Sequence, residues 1–184
     1  MKRNPRLLLI FAIQLLVLVY IIADRQWLLA SGTVVTLETE PVDPRSLFSG
    51  DYVRLNYKIS RLSLDRIGGD RDFSQHGRAC VLLRPGERYA EVVSVHHAAP
   101  TPATEQVVLC GEVQQVALRQ SGDREIRVRY GIEGYFVPEG EGRAIERPAA
   151  DEKVSIRVAV DTRGRGAIQA LLINGHERYI ERLF

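Results

Sequence analysis

The stretch VSIRVAVDTRGRGAIQALLI, residues 154–173, decides the fold class. Val154, Ile156, Val158 and Val160 alternate with Ser155, Arg157 and Ala159, the period of two that marks a strand with one face in a core. Thr162-Arg163-Gly164-Arg165-Gly166 follows as a turn, and Ala167–Ile173 returns as the second arm of an antiparallel hairpin. Asn174-Gly175 then favours another tight turn.

The same short, Val-, Ile- and Tyr-rich segments recur upstream, separated by Gly, Pro or Asp. They predict strands over Thr33–Glu40, Asp51–Ile59, Ala79–Leu83, Tyr89–Val95, Gln106–Val116 and Glu125–Tyr130. One short helix is expected over Glu139–Arg147, stopped by Pro148. Residues 61–78 follow neither period and read as a long surface loop, and Pro100–Thr104 as a second exposed connection. The expected fold is mainly β: an antiparallel β sandwich or barrel-like domain with one short helix.

That domain is preceded by a different kind of segment. Leu7–Ala23 (LLLIFAIQLLVLVYIIA) carries no charge, and Gln14 is its one strongly polar side chain. At 1.5 Å per residue it covers roughly 26 Å, close to the hydrocarbon thickness of a bilayer. Lys2, Arg3 and Arg6 precede it, and Tyr20 and Trp27 stand where interfacial aromatics belong. By the positive-inside rule the N-terminus stays in the cytoplasm and the remainder is exported. A cleaved signal peptide shares the basic start, and Ala30-Ser31-Gly32 offers it a cleavage site. The length of the apolar run and its ending in Asp24-Arg25 favour an uncleaved anchor. The expected layout is a cytoplasmic leader over residues 1–6, a transmembrane anchor over 7–27 and an exported domain over 28–184. The expectation is a single-pass membrane protein whose C-terminal domain is exported and which touches the lipid bilayer through residues 7–23.

Charge excludes one class of partner. Taking Lys2, Arg3 and Arg6 from the 25 basic residues leaves 22 against 23 acidic ones beyond the anchor. So balanced a domain has no single-sign field to attract nucleic acid. Two cysteines, Cys80 and Cys110, both fall in expected strands of the exported part, where an oxidising compartment permits a disulfide between them. They are too far apart in sequence for a CxxC redox centre and lack the companions of a zinc site.

Between the first two predicted strands lies PVDPRSLFSGDYVRLNY, residues 41–57. Its prolines stiffen the bend around Asp43, and Gly50-Asp51 makes a second bend directly before a strand. Alternation along that strand puts Val53, Leu55 and Tyr57 on the core face and Tyr52, Arg54, Asn56 and Lys58 on the other. Gly50, Asp51, Tyr52, Leu55 and Tyr57 spell GDYxxLxY, and the chain resembles the membrane-anchored family named for that string. PVDPR at residues 41–45 and RYGIEGYFVPEGEGRAIE at residues 129–146 are similar to that family as well. The resemblance implies a bacterial envelope protein with one N-terminal anchor; it brings no activity with it.

No catalytic constellation is apparent, and neither a metal site nor a cofactor is expected. A Ser-Lys hydrolase would need Ser46 or Ser49 against Lys58, but an extended strand carries Lys58 roughly 26 Å from Gly50. His96 and His97 are neighbours in sequence, so a strand points them to opposite faces. Gly50, Asp51, Leu55 and Tyr57 therefore read as structural. Asp43, Arg45, Tyr52, Arg54 and Asn56 form a mixed aromatic and charged patch suited to a protein partner. The expected function is a non-enzymatic envelope module that docks onto another membrane protein. The alternative is a ligand or peptide sensor with a cavity lined from the loop carrying Arg61, Asp65, Asp70 and Asp72; a Ser-Lys hydrolase ranks below both.

Overall fold

The computed structural model describes residues 5–40, 52–119, 122–137, 145 and 152–180. An apolar helix, α1 (Pro5–Ser31), leads into β1 (Thr33–Glu40). The strands that follow are β2 (Tyr52–Arg54), β3 (Asn56–Tyr57), β4 (Arg61–Ser63), β5 (Gly68–Gly69), β6 (Arg78–Arg84) and β7 (Glu91–His96). Next come β8 (Val107–Leu118), β9 (Arg124–Arg129), β10 (Gly134–Phe136), β11 (Val154–Val160), β12 (Gly166–Ile173) and β13 (His176–Ile180).

Two sheets and a ribbon form a sandwich-like β domain behind the helix. One sheet has the order β13-β12-β11-β1-β3, the other β4-β9-β8-β6-β7-β5, and β10 pairs with β2. Among the described residues all pairings are antiparallel except β5 with β7. Leu37, Ile156, Val158 and Leu171 of the first sheet and Val81, Leu83, Leu109 and Ile126 of the second share one buried core. This is the mainly β fold expected from the alternating pattern. The hairpin Val154–Ile173 is its clearest element, with Val160 opposite Gly166 at the turn and Val154 opposite Ile173 at the open end.

Two expectations are corrected, and a third falls almost wholly outside the described residues. The strand expected over Asp51–Ile59 is broken: Leu55 leaves the ladder and its N–H donates to the Glu133 carbonyl at 2.8 Å. On either side of this break β2 pairs with β10 and β3 with β1, and Lys58–Ser60 then close a 3-10 turn with Ile59 buried. The supposed surface loop 61–78 contains β4 and β5 and buries Leu62, Leu64 and Phe73. The short helix expected over Glu139–Arg147 lies outside the described residues except for Ile145, which is buried in the core.

Cys80 and Cys110 are directly opposite on β6 and β8 and are joined by a disulfide with Sγ atoms 2.08 Å apart. Gly164, in the β11–β12 turn, packs on that bridge with φ +81°; a Cβ there would lie 2.6 Å from the Cys110 Sγ. Its carbonyl accepts the Cys110 N–H at 2.8 Å, so the turn of one sheet is fastened to the other.

The helix does not end as a free rod. Leu28 and Leu29 are buried against Ala159 and Ala167, an opposed pair on the outer face of β11 and β12. The Arg165 guanidinium donates to both carboxylate oxygens of Asp24, at 2.7 and 2.9 Å, and its Nε donates to Asp161 at 2.7 Å. Gly32 lets the chain turn directly from helix to strand: its N–H reaches the Leu28 carbonyl, and a Cβ would come within 2.6 Å of that oxygen. The helix is long and apolar enough over Arg6–Ser31 to cross a membrane.

Candidate functional site

The break at Leu55 is the centre of a clasp between two distant segments. Besides the bond from Leu55 to Glu133, the Tyr57 hydroxyl donates to the Ile132 carbonyl at 2.5 Å, and the Tyr130 hydroxyl donates to the Ile59 carbonyl at 2.6 Å. Each tyrosine thus secures the backbone of the other's segment. The Glu133 carboxylate accepts the N–H groups of Tyr130 and Gly131, at 2.6 and 2.9 Å, which holds the turn in front of β10. Burial, with Glu133 nearby, pushes the phenol groups of Tyr57 and Tyr130 well above the ordinary tyrosine range.

The clasp holds up the β2–β10 ribbon. Val53 and Tyr135 are paired in register and buried, which fixes the ribbon's inner face. Phe136, opposite Tyr52 in the same register, is 76% exposed. Arg54 and Asn56 are exposed as well, whereas Leu55 and Tyr57 are buried. The sequence-expected patch is therefore represented by Arg54 and Asn56. Asp43, Arg45, Gly50 and Asp51, together with the side chain of Tyr52, lie outside the described residues.

Sequence reasoning gave no role to Tyr130, Ile132, Glu133 or Phe136. The signal was available, since RYGIEGYF follows β9 and carries two of the seven tyrosines, but only pairing shows that it embraces the first motif.

A family described as GDYXXLXY protein matches residues 14–171, most of the chain. The chain belongs to the GDYXXLXY family. No curated protein and no solved structure matches it. In this GDYXXLXY domain the string that names the family splits between display and support, with Leu55 and Tyr57 packed inside and Arg54 and Asn56 outside.

The other sequence candidates separate cleanly. Arg61 borders a cavity, but Asp65 accepts the Arg124 N–H at 2.7 Å and Asp70 accepts the His97 N–H at 2.9 Å. These two carboxylates stitch loop to strand. Asp72 stands 3.5 Å from the His97 ring at the surface, and His96 bonds Ser94 at 2.9 Å. Lys58 is ion-paired with Glu38 at 2.6 Å and half exposed. A general-base lysine is instead a desolvated amine poised to be neutral.

Proposed function

We propose that this GDYXXLXY protein is a non-enzymatic envelope module, anchored once in the inner membrane of a bacterium, that docks onto another membrane protein through the β2–β10 ribbon. The layout we infer is a leader over residues 1–6, an anchor over 7–27 and a periplasmic domain over 28–184. Lys2, Arg3 and Arg6 before the apolar helix support that orientation, and the Cys80–Cys110 bridge suits an oxidising compartment. A reporter fused after Phe184 tests the orientation. Reporter activity confined to the cytoplasm overturns it.

The observation that carries the docking reading is Phe136. A large aromatic side chain, 76% exposed, stands on a ribbon whose opposite face is locked into the core and whose flank presents Arg54. Aromatic and arginine side chains on a rigid support are the composition that interfaces favour. The ion-paired Lys58 speaks against hydrolase chemistry at the same motif.

Photo-crosslinking in intact cells tests the docking reading. A crosslinker at position 136 is expected to capture one membrane protein that a crosslinker at Leu118, 75% exposed at the end of β8, does not capture. Phe136→Ala and Tyr52→Ala should each weaken recovery of that protein while leaving the melting temperature of the purified chain unchanged. Identical capture from positions 118 and 136 would refute the docking site.

A further inference from the structure

Across the β4–β9 pair, Arg61 lies directly opposite Arg127. Like charges in that position repel. Both side chains are exposed, and among the described residues neither guanidinium has a hydrogen-bond or ion-pair partner. The neighbouring Arg129, by contrast, is paired with Glu112 at 3.2 Å.

The opposed arginines border a cavity of about 160 Å³. Two further polar residues, Ser60 and Gln114, line it, and Ser60 Oγ and Gln114 Nε2 are buried with no hydrogen-bond partner among the described residues. Gln114 is there because of a bulge: the β8–β9 register jumps between Val113 and Gln115, leaving Gln114 as the extra residue. Bulges of this kind re-aim one side chain out of the regular alternation and are common beside functional sites. Two guanidinium groups, an amide and a hydroxyl thus belong to the residues around one cavity, with no acceptor for them among the described residues.

The charges on the walls set the ligand's charge. Arg61, Arg127 and Arg129 face Glu40 and Glu133, and Glu133 is already engaged by two backbone amides. Arg129 is itself paired with Glu112, so among the described residues Arg61 and Arg127 are the cations left without a partner, and an anion between them would relieve their repulsion. A cavity of about 150 Å³ takes a benzene-sized guest. We propose that this cavity binds a small free monocarboxylate, its carboxylate held by Arg61 and Arg127 with further hydrogen bonds from Gln114 and Ser60. Arginine forks match the two oxygens of a carboxylate. This inference goes beyond the docking reading and does not depend on it.

The test uses the full chain in detergent, with 3-hydroxybutyrate as the probe and sodium chloride at equal ionic strength as the control. Hydroxybutyrate is expected to raise the melting temperature saturably, and calorimetry to give one site per chain. Arg61→Gln and Arg127→Gln should each weaken binding at least tenfold. Because each removes one of two opposed like charges, the ligand-free melting temperature of both variants should equal or exceed that of the wild type. Gln114→Leu should weaken binding as well. The proposal is overturned by an unsaturable response in the wild type or by equal affinity in the arginine variants. It is also overturned by saturation with inorganic phosphate in place of the carboxylate. A marked fall in the ligand-free melting temperature of both arginine variants would make Arg61 and Arg127 structural and refute it equally.

Discussion

At the scale of single residues the motif is a set of buried anchors. Leu55→Ala removes a side chain that is 4% exposed beside the break in the strand, and should cost about 2 to 5 kcal/mol in urea denaturation. Tyr57→Phe keeps the packing and deletes only the hydroxyl, which leaves the Ile132 carbonyl without its donor; about 1 to 3 kcal/mol is the expected loss. The tyrosines also set a pH dependence. Burial raises their pKa above the ordinary 10.0, so above pH 10 the unfolded chain releases protons that the folded chain retains. Their contribution to stability is therefore complete below pH 10 and falls as pH rises beyond it. Tyr57→Phe should flatten that decline, and melting curves between pH 8 and 11 measure it. Alternation alone made Leu55 and Tyr57 legible as core. The partner of the Tyr57 hydroxyl was not legible, because it is 75 residues away in sequence and is chosen by the fold.

At the scale of elements, legibility follows the number of local signals. The β11–β12 hairpin has alternation on both arms and a glycine-bearing turn, and it forms where the pattern puts it. The motif strand has alternation too, but its two halves pair with different strands, and no local pattern encodes that exchange of partners. The cavity is only partly legible: the sequence puts Arg61 on a loop expected to line a cavity, but nothing local places Arg127 opposite it, and Gln114 depends on a bulge in β8. The outer face of β11 shows a third case. Its alternation suggests a solvated side, yet Ser155 is 1% exposed and Ala159 is covered by α1. The small residues Ala159 and Ala167 make the seat for Leu28 and Leu29. Ala167→Leu should overfill that seat at a cost of about 1 to 3 kcal/mol. Denaturation of the full chain reads the cost, and a spin label at position 29 should become more mobile in the variant.

At the scale of the whole molecule, the helix and the domain are one object rather than a domain on a string. A plain tether would end in a flexible linker, but α1 passes into β1 with Gly32 as the single residue between them. Arg165 ties the helix to the β11–β12 turn, and the same turn rests on the disulfide of the second sheet. Through these contacts the helix end touches the first sheet directly and, by way of the turn, the second. Arg165→Ala separates orientation from stability. The Asp24–Arg165 pair is partly exposed, and ion pairs of that kind contribute little to folding free energy, so the melting temperature should shift only slightly. The orientation should respond more. With spin labels at Leu16 on the apolar helix and Leu118 on β8, the distance distribution of the wild type is expected to be narrow and that of Arg165→Ala clearly broader. If the two distributions coincide, Leu28 and Leu29 hold the helix unaided, and the arginine fork has no part in setting the domain's pose.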